Sequence, residues 1–189
     1  MKNGLLILAL ATGLTCRSQQ PPRTESEGRV VLYRKDSVYR FYTAVRPRRF
    51  KPQADKLYNW YAADTILITQ GGAGGKLLHG TFQKFYPDNN LAEEGSYVYG
   101  QKNGTWKQWE PSGKLKRIME WKQGARNGRF EEYDEAGRKT REGNFKDDKW
   151  EGLLIDYGPD GKATTTRYRK GQKIATEANP ADSLQKKAH

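Results

Sequence analysis

Residues 103–124 read NGTWKQWEPSGKLKRIMEWKQG, and residues 127–148 read NGRFEEYDEAGRKTREGNFKDD. The second stretch repeats the layout of the first at a distance of 24 residues, and the same layout extends in both directions. Gly80, Gly104, Gly128 and Gly152 are spaced by 24 residues. Two positions on stand Phe82, Trp106, Phe130 and Leu154; five positions on stand Phe85, Trp109, Tyr133 and Tyr157. Asn89, Gly113, Gly137 and Gly161 share a further column, as do Tyr97, Trp121 and Phe145, which Tyr168 joins after a one-residue deletion. A period of this length with agreement in so many columns marks a repeat architecture.

Each unit reads as a β-hairpin. In one, Thr105–Glu110 forms a strand, residues 111–114 (Pro-Ser-Gly-Lys) the turn, and Leu115–Lys122 the return. Asn103-Gly104 and Asn127-Gly128 are expected to close the gaps between hairpins, where a positive φ is needed. Equal hairpins pairing edge to edge give an all-β fold, an elongated antiparallel meander held together by contacts between neighbours. A degenerate leading repeat starts near Lys56, with Tyr58 and Tyr61 in the aromatic columns, and runs through Ile66-Leu67-Ile68 to the glycine-rich residues 71–75.

The two quoted units resemble the MORN-repeat variant family, which includes the YwqK-type proteins often labelled antitoxins. The resemblance spans residues 55–173, one degenerate and four clear repeats. It implies strings of β-hairpins in an elongated sheet, usually acting in protein or membrane contacts without known catalysis.

Period-two alternation assigns the columns to two faces. Phe82, Leu91, Tyr97, Trp106, Leu115, Met119, Trp121, Phe130, Phe145 and Leu154 are expected on the packing face. Phe85, Trp109, Tyr133 and Tyr157 fall on the other, recurring every ~9–10 Å because equivalent residues lie two strands apart. That stripe suits a glycan or peptide platform. It equally suits rings that pack against Val98, Ile118 and lysine stems to support a thin sheet.

The chain has 189 residues, 34 Lys plus Arg and 22 Asp plus Glu, a net charge of +12. Residues 1–15 (MKNGLLILALATGLT) hold one cation, Lys2, and an apolar run too short to span ~30 Å of bilayer, but of signal-peptide length. The only cysteine, Cys16, follows directly, and the segment resembles a bacterial lipoprotein signal in which that Cys is lipidated. Simple secretion with an incidental Cys is the alternative. Residues 16–28 form a polar, proline-bearing tether. Loss of Lys2 with the signal leaves 33 cations against 22 acids, a net of +11.

Residues 29–54 form a basic N-terminal segment. Strands at Val30–Tyr33 and Val38–Tyr42 make a hairpin, and Arg40, Arg46, Arg48, Arg49 and Lys51 form its basic patch. Cations mixed with aromatics suit single-stranded nucleic acid in a cytosolic protein. In an exported one, anionic lipid headgroups or acidic glycans fit better. The tail, residues 174–189, has lost the repeat pattern.

No arrangement of nucleophile, base and acid emerges. His79 lies at a repeat junction, the acidic pairs are adjacent residues pointing to opposite faces of a strand, and the glycine-rich run lacks a following Gly-Lys-Ser/Thr. With two His and one Cys, no metal site or disulfide framework is expected, and no cofactor. The expectation is a non-catalytic binding or scaffold protein of the cell envelope, lipid-anchored and facing the outer membrane or periplasm. Its partner would be an unknown protein, anionic lipid or glycan. The competing reading is an antitoxin-type inhibitor that is not exported.

Overall fold

The computed structural model describes residues 28–44 and 50–174. Cys16, the signal and tether up to residue 27, Arg46, Arg48, Arg49 and the tail beyond Ile174 lie outside the described residues. One antiparallel sheet contains every strand. They are β1 (Arg29–Arg34), β2 (Ser37–Ala44), β3 (Leu57–Ala62), β4 (Thr65–Gln70), β5 (Lys76–Phe85), β6 (Leu91–Val98) and β7 (Gln101–Trp109). The chain continues through β8 (Leu115–Lys122), β9 (Ala125–Tyr133), β10 (Lys139–Lys146), β11 (Lys149–Trp150), β12 (Gly152–Tyr157), β13 (Ala163–Arg169) and β14 (Gln172–Ile174). No helix occurs among the described residues.

Two turn types alternate with the repeat. Within a hairpin, the backbone N–H of Tyr86, Glu110, Asp134 and Gly158 donates to the carbonyl four residues on, at 2.8–2.9 Å, around Asn89, Gly113, Gly137 and Gly161 at positive φ. Between hairpins, Tyr99-Gly100, Gln123-Gly124, Asp147-Asp148 and Lys170-Gly171 all have positive φ at both positions. That is the mirror-image two-residue turn that matches strand twist. The second turn residue of each also donates its N–H to the previous repeat: Gly100 to Leu78, Gly124 to Lys102, Asp148 to Arg126 and Gly171 to Trp150, at 2.7–3.0 Å. Each repeat is thereby tied to its neighbour by backbone as well as side chains.

The role expected of Asn103-Gly104 and Asn127-Gly128 is corrected. They close no gap; Gly104 and Gly128 lie inside β7 and β9, with φ of 72° and 114°. There β7 spends two more residues than β6 opposite, and β9 two more than β8. Gly80 occupies the same kind of bulge between β2 and β5. Such bulges bend the strand and raise its local twist, and the glycine column places one at the same point of β5, β7 and β9.

The N-terminal hairpin forms as expected, and β2 pairs β5, with Phe41 opposite Phe82. The degenerate hairpin, β3–β4, forms too but leaves the linear order. β3 pairs β5 only at Leu77 and Lys76, while Asn59 N–H donates to the Gly100 carbonyl at 2.7 Å. The hairpin therefore branches off where the first interhairpin turn ends, and β1–β2 takes the place before the first clear repeat. Its glycine-rich exit is steric: a Cβ at Gly75 would lie 2.7 Å from the Trp60 ring and 2.6 Å from the Tyr61 carbonyl oxygen.

Candidate functional site

Register separates an inner face from an outer one, since directly paired residues share a face. The inner face carries Phe82, Tyr97, Trp106, Met119, Phe130, Phe145 and Leu154, all buried as expected of the packing face. Rings lean edge to face along it: Phe82 on Tyr97 at 5.5 Å, Tyr97 on Trp106 at 5.0 Å, Phe130 on Phe145 at 5.9 Å. Leu91 and Leu115 do not belong there. A one-residue bulge just after each, at Ala92 and Lys116, pairs them with Phe85 and Trp109 on the outer face. Inserting one residue reverses the alternation.

Gly95 is an inner-face residue that sequence reasoning passed over. A Cβ there would sit 2.2 Å from the Trp106 ring, so the indole, 3% exposed, fills the space the glycine leaves. A glycine in mid-strand is the signal that could have found it.

Above this aromatic floor lies an open groove of about 350 Å³, lined by inner-face residues from β6 through β11. Its walls hold four cations, Lys102, Arg117, Arg126 and Arg141, with Glu93 and Glu132 between them. Lys102 Nζ lies 3.7 Å from the Trp106 ring centroid, and the guanidinium carbons of Arg126 and Arg117 lie 4.4 and 5.8 Å from Phe145 and Phe130. Lys102 pairs with Glu93 at 3.1 Å, Arg126 with Asp148 at 3.0 Å, Arg117 with Glu132 and Arg141 with Asp156. Arg117 Nε is nonetheless buried with no hydrogen-bond partner among the described residues. The groove opens at Glu93 and Lys102 into a second cleft of about 780 Å³, walled by Leu32, Tyr39, Ile66 and Ile68.

The expected outer stripe is assembled as four half-buried rings, but its members are engaged. Phe85 is covered by the Arg40 guanidinium, 4.4 Å from its centroid. The Trp109 carbonyl accepts the Tyr86 hydroxyl at 2.8 Å. Tyr133 donates to Glu131 at 2.8 Å and Tyr157 donates to Glu142. Lys139 joins the two carboxylates, 2.5 Å from Glu131 and 2.6 Å from Glu142, and Arg129 closes on Glu131 at 2.6 Å. Burial pushes the Glu131 carboxyl upward, but hydrogen bonds from Arg129, Lys139 and Tyr133 outweigh it and hold it at about 2. Of the basic patch, Arg40 thus faces Phe85, and Lys51 is exposed outside the strands.

His79 stacks on Tyr99, 4.6 Å between ring centroids, and its Nδ1 accepts the Tyr99 N–H at 3.3 Å, so it belongs to a turn. Among the described residues no cluster of three or more His, Cys, Asp or Glu could hold a metal ion, and no helix is long and apolar enough to cross a membrane.

Residues 78–99 and 102–123 match the MORN repeat variant family model. Two adjacent hairpins of the chain are thus similar to MORN-variant repeats. The two matched spans are the β5–β6 and β7–β8 hairpins with their flanking turns, in the same phase of the 24-residue period. MORN repeats are generally binding and scaffold modules rather than enzymes. No curated protein and no solved structure matches the chain.

Proposed function

We infer that this protein is a non-catalytic binding protein of the cell envelope, and that its inner groove takes an extended acidic segment of a partner protein. The observation that carries this reading is the set of Arg117, Arg126 and Arg141 lining an open groove, each paired with a carboxylate of the chain that an acidic ligand would replace. Guanidinium groups form bidentate, charge-assisted bonds to carboxylates. The buried aromatic floor offers little free ring surface for sugar stacking, which favours a carboxylate-bearing chain over a neutral glycan. The envelope address rests on the apolar run before Cys16.

Binding is measured by fluorescence anisotropy with a labelled oligoglutamate peptide. Arg117→Ala with Arg141→Ala is expected to weaken it at least ~10-fold, because hydrogen bonds to charged groups are worth ~1.5–3 kcal/mol each. Trp109→Ala, on the outer face, should leave it unchanged. Equal affinity in the double variant sinks the groove reading, and preference for anionic vesicles or an acidic oligosaccharide replaces the partner. Fractionation tests the address: wild type should follow the membrane and Cys16→Ser should be released, whereas a soluble cytoplasmic wild type favours the inhibitor reading.

A further inference from the structure

Among the described residues β1, β4 and β14 each pair with a single neighbour, so each offers a free backbone edge there. Two of these edges are guarded by charge: β1 carries Arg29 and Arg34, and β14 carries Lys173 beside Lys170. β4 reads Thr65-Ile66-Leu67-Ile68-Thr69-Gln70, with no charge, proline or bulge. Leu67 is 37% exposed and Ile68 61%. Natural sheets suppress edges of this kind unless something pairs with them.

The segment is also a palindrome about Leu67: Thr-Ile-Leu-Ile-Thr reads the same from either end. We propose that β4 pairs antiparallel with β4 of a second copy of this chain, on a two-fold axis through Leu67. That register places Thr65 opposite Thr69, Ile66 opposite Ile68 and Leu67 opposite itself. Every cross-strand pair joins like with like, and β-branched and threonine pairs are favourable.

The backbone phase fits the same axis. Ala63 and Asp64 both have positive φ, so the two-residue turn makes Ala62 and Thr65 a hydrogen-bonded pair. Bonding alternates along an antiparallel ladder. Thr65, Leu67 and Thr69 therefore spend their N–H and C=O groups on β3, while those of Ile66 and Ile68 face outward. A two-fold axis at Leu67 sets Ile66 against Ile68 in hydrogen-bonded pairs on both sides. It leaves Leu67 and its copy as the non-hydrogen-bonded pair, with Cα atoms ~4.5 Å apart. An isologous interface of this kind closes on itself and stops at a dimer.

The experiment is sedimentation of the full chain in a Cys16→Ser background, in which an introduced thiol is the only one. A dimer is expected, strengthened by salt because each copy carries a large net positive charge. Leu67→Cys should form a disulfide-linked dimer on oxidation, since the ~4.5 Å separation is within disulfide reach. Leu57→Cys, more exposed but on β3, should not. Ile68→Lys should give a monomer with unchanged circular dichroism and melting temperature. The proposal is overturned by a monomeric parent at tens of micromolar, by a dimer that survives Ile68→Lys, by failure of Leu67→Cys to cross-link, or by a monomer whose β4 is covered by a strand of a different protein.

Discussion

The first and last clear repeats share the same columns but not the same surroundings. Phe82, in the first, lies among Phe41, Tyr97 and Trp106, and the cluster reaches Leu32 on β1 and Tyr61 and Ile66 of the branching hairpin. Leu154, its counterpart in the last, is buried, but β13 and β14 beyond it contain no buried residue. Among the described residues one end is closed by two additional hairpins and the other is bare sheet. In a repeat array the stability of a unit is largely that of its neighbours, so identical columns do not confer identical stability.

The sharpest way to break that comparison is Trp106→Ala. It empties the centre of the closed end and should lower unfolding free energy by about 4 kcal/mol, read by urea unfolding. A loss no larger than that of an outer-face residue would remove the aromatic cluster as the main support. Gly95→Ala should cost about 2–3 kcal/mol by overpacking against the same indole. At the open end Leu154→Ala should cost about 2 kcal/mol, because the thin sheet around it can relax. Hydrogen exchange sharpens the contrast, with β13 amides expected to exchange well before those of β5.

The smallest effect concerns acid. Glu131 has its folded-state value depressed from an ordinary 4.5 to about 2. Its contribution to stability is complete above pH 4.5 and is lost as the pH falls through about 2. Lys139, raised by its hydrogen bonds to Glu131 and Glu142, acts in the opposite sense, contributing below its ordinary 10.5 and losing that only as pH rises beyond it. Glu131→Gln should flatten the acid limb of a pH–melting curve between 4.5 and 2. An unchanged limb would show that the Glu131 cluster plays no part in acid unfolding.

Much of this molecule was legible in its residues. The 24-residue period placed the hairpins, the turn column at Asn89, Gly113, Gly137 and Gly161, and the buried ring column. The outer stripe of Phe85, Trp109, Tyr133 and Tyr157 was legible as a row, though not its engagement with Arg40, Glu131 and Glu142. Leu91 and Leu115 were misplaced because a bulge is an insertion relative to the partner strand, and one strand read alone does not show it. The groove escaped notice for a related reason. Its cations come from β7 to β10, and only the register between strands, with Arg117 and Arg141 both opposite Glu132, sets them together on one face.

The sequence by itself determined the local geometry: which residues turn, which alternate and where each hairpin begins, because turn chemistry and period-two alternation act over a few residues. Tertiary structure alone decided that the groove lies over the ring-bearing face, that β3–β4 branches at Gly100 while β1–β2 closes the sheet, and that β4 is, among the described residues, an uncharged edge. Those outcomes depend on bulges and hydrogen bonds between residues as distant as Asn59 and Gly100, where competing pairings are separated only by the register of the whole sheet.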